Sequence, residues 1–371
     1  MRGETGKYNF SQTRAMLAIT RASLRSILRS PSAVVFILVF PLVFILVFGF
    51  IGGNKVRLEL GLYPGSDTGS VFFHEISSAP GVRILSGKTK KEIDELLIKG
   101  RVDAAIFIDT AGGGVQLYHS KTGGDQSKLL QTIASGILIK ERLFQTIDST
   151  GRISISETPL LQSKVVEARE YKTIDFILPG QLGFSILSAG VFGTAFVFFS
   201  LRQTMVMKRF FATPIKRIYI IFGEALSRLI FQLAGAVIII LLGRCFFGFT
   251  LINGLLTVIH MLILSALGLM VFMGFGFVVS GIAKSESVIP PISNIVTLPQ
   301  FLLSGTFFPV DAFPDWLQPV SRFLPLTYLN DALRKVAFEG VTFSGLWLEL
   351  SVISLWGIVI YIAAVRFFRW E

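Results

Sequence analysis

Long apolar runs separated by short basic segments dominate the hydropathy pattern of the chain. Residues 33–51 (AVVFILVFPLVFILVFGFI) contain no charged residue, and comparable runs follow from residue 176 onwards. A helix needs about 20 mostly apolar residues to cross a bilayer. The pattern therefore predicts an α-helical polytopic membrane protein with six transmembrane helices. We place the spans at 33–52, 176–201, 219–243, 254–281, 288–308 and 346–365.

The fifth span differs from the others in its proline content. It contains Pro290, Pro291 and Pro299, and a proline inside a helix removes a backbone hydrogen bond and clashes with the preceding turn. We expect this span to be broken or kinked.

The polar segment 53–175, between the first and second spans, shows alternating strand and helix patterns. Apolar or alternating stretches predict strands at 56–63, 81–85, 102–108 and 115–119. Helical periodicity falls at 69–79, 88–99 and 125–148. This order predicts an α/β domain, followed by a polar helix or linker over 149–174.

Composition supports a membrane protein. Hydrophobic residues make up 52% of the 371 residues and charged residues 16%, against roughly 25% charge in soluble domains. A soluble enzyme and a disordered tail are both disfavoured. Cys245 is the only cysteine, so an intrachain disulfide is excluded.

The net charge of +11 is unevenly distributed. Residues 53–175 carry 16 Lys/Arg and 15 Asp/Glu, whereas the short loops of one side carry 14 Lys/Arg and those of the other carry 4. Short basic loops stay in the cytoplasm. Both termini are therefore predicted inside and 53–175 outside, and the charge indicates membrane orientation rather than nucleic-acid binding.

Residues 1–32 precede the first span and include regularly spaced arginines. Arg14, Arg21, Arg25 and Arg29 alternate with apolar residues at spacings of three and four. We expect a cytoplasmic amphipathic helix on the inner leaflet; the alternative is a simple positive-inside anchor. The long apolar run without an A-x-A site disfavours a cleaved signal peptide.

The sequence contains no recognisable motif for catalysis or metal binding. His74, His119 and His260 are scattered, and neither H-E-x-x-H nor G-x-S-x-G occurs. The stretch Ser86–Thr89 (SGKT) resembles the end of a phosphate-binding loop, but Val82 stands where the motif needs glycine. We interpret it as a turn entering a helix.

Charged residues are absent from the span centres. Glu224 and Arg228, four residues apart at the inner end of the third span, can pair or snorkel, and Glu349 lies near the outer end of the sixth. Ion-driven carriers keep ionisable groups near mid-bilayer. Any transport by this chain should therefore take its energy from a separate subunit.

Two segments suggest mechanical roles. Loop 201–218 combines five basic residues with an apolar centre, which fits a short amphipathic helix on the cytoplasmic face or an ordinary basic loop. Segment 304–340 is apolar but interrupted by four prolines, so it cannot be one spanning helix. Short helices dipping into the outer leaflet, or an external loop folded on the protein, are the two interpretations.

These segments resemble permease subunits of type-2 ABC exporters, of the multidrug-exporter-like subgroup with a large external domain. RFFATPIKRIYIIFGEALSR (Arg209–Arg228) is similar to that family's cytoplasmic coupling loop, and FLLSGTFFPVDAFPDWLQPVSRFLPLTYLNDALR (Phe301–Arg334) to its re-entrant region. Two departures, LRQTMVMKR in place of an acidic run and Glu224 in place of lysine, leave the pairing with a particular ATPase open.

The resemblance implies residue roles and partners. The ATPase-coupling residues would be Met205, Arg209, Phe210, Phe211, Thr213, Pro214, Lys216 and Arg217. The re-entrant region, within the five-helix segment 176–371, would use Gly305, Pro309, Pro314, Trp316, Pro325 and Tyr328. The implied partners are ABC ATPase subunits that bind ATP and Mg²⁺, a second permease subunit and membrane lipids, but no nucleic acid. This subunit itself would be non-catalytic, without cofactor, in a bacterial or archaeal cell membrane.

Two other classes of function remain open from the residues. A membrane receptor could bind a ligand through 53–175, although no kinase, HAMP-like or coiled-coil output segment is evident. A membrane-embedded enzyme would need a cluster of polar residues within the spans, and we expect none. The transported substrate is not encoded in any pattern that we identify.

Overall fold

A computed structural model describes residues 11–29, 35, 39–51, 58–98, 101–109, 114–120, 125–145, 161–166, 172–204 and 214–367. The chain divides into two compact units, one formed by Met1–Ile51 with Thr173–Glu371 and one by Gly52–Lys172. We call them the membrane unit and the sheet unit and describe each by itself.

Helices and strands are numbered here in chain order. The helices are α1 (Gln12–Leu28), α2 (Phe40–Ile51), α3 (Val71–Ser78), α4 (Lys90–Ile98), α5 (Asp125–Gln145), α6 (Thr173–Ser188), α7 (Thr194–Gln203), α8 (Arg217–Phe247), α9 (Leu255–Ile282), α10 (Ile289–Leu303), α11 (Gln318–Phe323), α12 (Pro325–Arg334) and α13 (Trp347–Phe367). The strands are β1 (Leu58–Leu62), β2 (Val82–Leu85), β3 (Ala104–Asp109), β4 (Gly114–Ser120) and β5 (Leu161–Val166).

The sheet unit is a mixed five-stranded sheet of order β2-β1-β3-β4-β5. The only antiparallel pair among the described strands is β3 with β4; the other neighbours are parallel. Because side chains alternate along a strand, Leu58, Leu60 and Leu62 point to one face, where α3 and α5 cover them. Helix α4 covers the other face.

The turn that contains SGKT enters α4, as we interpreted it. Thr89 N donates to Glu92 Oε2 at 2.7 Å and Glu92 N donates to Thr89 Oγ1 at 3.4 Å, the reciprocal arrangement that satisfies the first amides of a helix. The hydrogen bond from the Thr89 backbone lowers the pKa of the Glu92 carboxyl. Lys88 therefore belongs to a capped helix start.

The expectation of a helix or linker over 149–174 is wrong for residues 161–166. Residues Leu161–Val166 form β5, which pairs in parallel with β4 from Val115 to Ser120. The stretch LQSKVV alternates only weakly between apolar and polar residues. Its pairing with a formed neighbouring strand therefore decides its conformation more than its own pattern does.

Four helices of the membrane unit, among the described residues, are long and apolar enough to cross a bilayer. They are Thr173–Gln203, Ile218–Phe247, Leu255–Ile282 and Phe343–Phe367. They coincide with the second, third, fourth and sixth predicted spans. The first of them includes a π-helical turn at Ala189–Gly193 that joins α6 to α7.

The other two predicted spans are only partly matched. Helix α2 is described from Phe40 to Ile51, and much of 33–39 lies outside the described residues. Helix α10 ends at Leu303 instead of residue 308, which leaves 15 residues. Pro290 and Pro291 lie in its first turn, where proline is tolerated, so they begin the helix instead of breaking it. Six spans therefore remain a prediction.

Segment 304–340 contains short helices packed into the membrane unit. Helix α12 and the π turn Lys335–Glu339 that follows it are mostly buried, with Leu326, Leu329 and Leu333 in the main hydrophobic core. A set of phenylalanine rings in tilted or edge-on contact joins α2, α6 and α10 to the turn before α11. Its members are Phe40, Phe44, Phe184, Phe301 and Phe307.

Candidate functional site

The continuous helix Thr173–Gln203 defines two ends of the membrane unit. Helix α12 contacts its beginning, and we call that the α12 end. At the opposite end this helix finishes and α8 begins, with segment 205–213 between them; we call that the loop end. Both ends carry polar side chains that organise their surroundings.

At the loop end, α1 is fastened to the start of α8 by its first residue. The Gln12 side chain donates from Nε2 to Pro214 O at 2.7 Å and accepts from Lys216 N at 3.1 Å. The carboxamide thus bonds to both sides of residue 215. Helix α1 therefore holds the chain where it leaves the 205–213 segment and enters α8.

Further along, α1 packs closely on α8. Thr20 Oγ1 donates to Gly223 O at 3.1 Å, and a Cβ at Gly223 would lie 3.0 Å from Met16 O. Ser23 Oγ donates to Glu224 Oε2 at 2.8 Å. The face of α1 that contacts α8 therefore combines apolar Ile19 with Thr20 and Ser23, and the arginines of α1 are exposed.

Glu224 and Arg228 form a buried ion pair on α8. The Arg228 Nη1–Glu224 Oε2 distance is 3.0 Å, and the two side chains are 6% and 10% exposed. Arg228 Nη2 also donates to Gly193 O of the π turn at 3.3 Å. The pairing predicted from the i, i+4 spacing is thus present, and snorkelling is not.

At the α12 end, Arg334 and Asn330 anchor α12 to backbone carbonyls. Arg334 donates from Nε and Nη2 to Phe176 O at 3.2 Å each and from Nη2 to Gly305 O, with its guanidinium 3.7 Å from the Phe176 ring centroid. Asn330 Nδ2 donates to Ser304 O at 2.9 Å. These bonds fix the turn after α10 against α6.

Two glycines of α6 make room for this arrangement. A Cβ at Gly180 would lie 2.5 Å from Thr306 O, and one at Gly183 would lie 2.0 Å from Asn330 Oδ1. Any side chain at either position would collide with the turn or with α12. Gly305 has φ of +69°, a conformation that favours glycine.

The predicted site residues divide between the two ends. Met205, Arg209, Phe210, Phe211 and Thr213 lie outside the described residues. Pro214 and Lys216 lie beside Gln12, and Arg217 is the first residue of α8. In the re-entrant region the backbone oxygen of Gly305 accepts a hydrogen bond from Arg334. The three prolines stand before or at the start of short helices: Pro309 precedes the 3₁₀ turn 310–312, Pro314 precedes α11, and Pro325 begins α12.

The two aromatic residues of the re-entrant set have different surroundings. Trp316 is 74% exposed, whereas Tyr328 donates from its hydroxyl to Arg322 O at 2.7 Å. Tyr328 thus ties α12 to α11, and Trp316 faces outwards.

Sequence reasoning missed a buried face of uncharged polar residues. Its members are Ser293, Thr297 and Gln300 on α10 and Ser304 directly after it, each at most 3% exposed. Their spacing of four, three and four places them on one helix face, a signal that was available in the sequence. Our expectation that the spans contain no such polar cluster is wrong.

Among the described residues, no group of three or more His, Cys, Asp or Glu side chains could hold a metal ion. The polar contacts described above fasten helices to one another, and we assign them no chemical step.

Comparisons with known proteins agree with this architecture. Residues 31–366 match the sequence model of the ABC-2 family transporter proteins. The chain is 26% identical over 197 residues to ABC transporter G family member 20 of Dictyostelium discoideum, covering 52% of this chain and 26% of the relative. It is 26% identical over 196 residues to nodulation protein J of Rhizobium leguminosarum bv. viciae, covering 52% of this chain and 73% of the relative.

A further relative is nodulation protein J of Rhizobium leguminosarum bv. trifolii, which is 29% identical over 163 residues, covering 43% of this chain and 60% of the relative. The chain therefore spans about a quarter of the length of the Dictyostelium relative and larger shares of the two rhizobial ones.

Proposed function

The chain belongs to the ABC-2 family of transporter proteins, and we propose that it is the membrane subunit of an exporter driven by a separate ATPase. In this proposal the ATPase binds ATP and Mg²⁺, and the chain moves its cargo from the cytoplasm or the inner leaflet to the outside. Two such membrane subunits pair in a bacterial or archaeal cell membrane.

The proposed orientation places the loop end in the cytoplasm and the sheet unit outside. It is supported by the 14 Lys/Arg in the short segments of one side against 4 on the other, because basic residues next to the spans stay in the cytoplasm. Exposed Trp316 and Trp347, 74% and 70% accessible, fit the opposite membrane–water boundary.

The observation that carries the proposal is the construction of the loop end. Helix α1 holds Pro214 and Lys216 through Gln12 and holds α8 through Thr20 and Ser23. A partner that moves segment 205–213 would therefore move α1 and α8 together. An ATPase that is a separate subunit can move the transmembrane helices only through a connection of this kind.

The contact with the ATPase is proposed to involve the aromatic residues of loop 201–218. Phe210 and Phe211 are large apolar residues next to basic ones, and burying one such ring stabilises an interface by roughly 1.5–3 kcal/mol. Arg209, Lys216 and Arg217 would form the polar rim facing an acidic groove.

A pull-down of a co-expressed candidate ABC ATPase by this chain tests the proposal. Phe211→Asp should insert into the membrane normally but recover much less ATPase in detergent, because a charge replaces an apolar anchor. The matched control Phe211→Leu keeps an apolar side chain and should recover nearly the wild-type amount. Equal recovery by Phe211→Asp would remove this loop from the contact.

A further inference from the structure

A buried amide without a partner lies within α6. Gln181 is fully buried, and neither its Nε2 nor its Oε1 atom has a hydrogen-bond partner. Leaving a buried donor and acceptor unpaired costs free energy, so such groups call for an explanation.

The opposite helix carries half of a matching group. Gln232 of α8 is 1% exposed and donates from Nε2 to Ser185 Oγ at 3.1 Å, while its Oε1 has no partner. Ser185 follows Gln181 by four residues, so the two lie on one face of α6, one turn apart. Gln232 therefore sits one helical turn away from an amide that could satisfy it fully.

Contacts along the two helices define their present register. Gln232 faces Ser185, Arg228 donates to Gly193 O, and Leu178 covers Gly243, where a Cβ would lie 2.0 Å from Leu178 Cδ1. Helices α6 and α8 are thus antiparallel. A displacement of α8 by one turn, about 5.4 Å, towards the start of α6 brings Gln232 opposite Gln181.

We propose that α6 and α8 have a second register, one helical turn from the present one, in which Gln232 exchanges Ser185 for Gln181. Two primary amides can form two hydrogen bonds, each donating from Nε2 to the other's Oε1. The second register therefore satisfies polar atoms that the present one leaves unpaired. Packed helices are known to move between discrete registers of this kind.

The displacement requires local repacking. Gly235, Ala236 and Gly243 on the buried face of α8 are small residues that let helices pass closely, whereas Ile239 is fully buried and would replace Gly243 opposite Leu178. Leu178 would therefore have to change rotamer, and the bonds of Asp175 to Thr250, just beyond α8, would have to break. The Glu224–Arg228 ion pair lies on α8 alone, so it can travel intact. The bonds of α1 to Gly223 and Glu224 would carry α1 along.

Only the role of the register change in transport rests on the proposed function. The second register of α6 and α8 does not depend on it. If an ATPase moves segment 205–213, the displaced α8 would transmit that motion to the interior of the membrane unit. The register itself is a property of two helices in this chain and can be measured without the ATPase.

Disulfide formation in purified, membrane-reconstituted protein reports the register, in a Cys245→Ser background. Leu178→Cys with Gly243→Cys should cross-link in the present register. Leu178→Cys with Ile239→Cys should cross-link only in the second, since disulfides need Cα atoms within about 7 Å and Ile239 precedes Gly243 by one turn.

Two variants then bias the equilibrium in opposite directions. Ser185→Ala removes the present partner and should raise the 178–239 product relative to 178–243 by about fivefold, the factor that one hydrogen bond is worth. Gln181→Leu removes the second partner and should reduce the 178–239 product to background while 178–243 still forms, which shows that the protein is folded.

Absence of the 178–239 product in every background, or ratios unaffected by both variants, would overturn the second register. A different result would argue against the proposed coupling to an ATPase while leaving the second register in place. If adding ATP with the co-purified ATPase leaves a variant-sensitive ratio unchanged, the register exists but the ATPase does not drive it.

Discussion

The two ends of the membrane unit are held together by different kinds of contact. At the loop end, side chains of separate helices bond to one another or to single carbonyls, as Ser23 does with Glu224 and Arg228 with Gly193. At the α12 end, Asn330 and Arg334 bond to several carbonyls of a tight turn and of α6, in a space cleared by glycines.

This difference suggests different mechanical roles. Side chains that bond to several backbone carbonyls in a tightly packed space, as Asn330 and Arg334 do, can adopt only one arrangement. A pair that lies on a single helix and reaches its neighbours through single bonds can move with that helix. We infer that α12 and the turn after α10, which bond to α6, are a fixed support, and that α8, together with α1, is the part able to move.

The largest effect is expected from breaking the buried ion pair. Glu224→Gln or Arg228→Met alone leaves one buried charge uncompensated and should lower the free energy of unfolding by about 3–5 kcal/mol. The double variant Glu224→Gln/Arg228→Met removes both charges and should recover much of that loss. Thermal unfolding in detergent measures all three, and a single variant as stable as wild type would refute the pairing.

A somewhat smaller loss is expected from filling the space at the α12 end. Gly180→Ala places a Cβ 2.5 Å from the backbone oxygen of Thr306 and should cost about 1–3 kcal/mol through overpacking. The control Gly136→Ala, in α5, meets no atom within 4 Å and should be neutral or slightly stabilising. Similar melting temperatures for the two variants would show that the turn after α10 is not tightly seated against α6.

The two hydrogen bonds between Gln12 and the start of α8 should contribute less to stability than the contacts of the buried ion pair and of α12. Gln12→Ala removes two exposed hydrogen bonds, to Pro214 O and from Lys216 N, and should destabilise the protein by about 1 kcal/mol. Gln12→Glu keeps the acceptor and loses the donor, so its effect should be intermediate. If limited proteolysis within 205–213 is equally fast in both variants and in wild type, the bonds of Gln12 do not hold this segment.

The smallest effect is expected from the exposed pair at the α12 end. Arg322 Nη2 and Asp311 Oδ1 are 3.3 Å apart, with side chains 61% and 67% exposed. Exposed ion pairs contribute about 0–1 kcal/mol, so Asp311→Asn should leave the melting temperature almost unchanged. A loss comparable to that of the Glu224 variants would contradict the contrast between buried and exposed charge.

The sequence predicted the long helices well because length and apolarity alone determine them. The helix Leu255–Ile282 needs no partner to be recognised, and the i, i+4 spacing of Glu224 and Arg228 was enough to suggest their pairing. The same rules failed for α10, whose end depends on the turn at Ser304 and Gly305, and for β5, whose conformation depends on its neighbour β4.

The polar anchors were missed for a related reason. Asn330 and Arg334 stand in a proline-rich stretch that has the composition of a loop. Their burial depends on Gly180, Gly183 and Gly305, which are distant in sequence and have no side chains to form a pattern. Close helix contacts of this kind become visible only in the folded chain.

Photo-crosslinking at the two ends tests the central claim most directly. A benzoyl-phenylalanine introduced at Phe211, and separately at Trp316 as the matched exposed position of the α12 end, can be irradiated in native membranes that contain the co-expressed ATPase. If the loop end contacts the ATPase, position 211 should give an ATPase adduct and position 316 should give none. An adduct from 316 with none from 211 would contradict this claim.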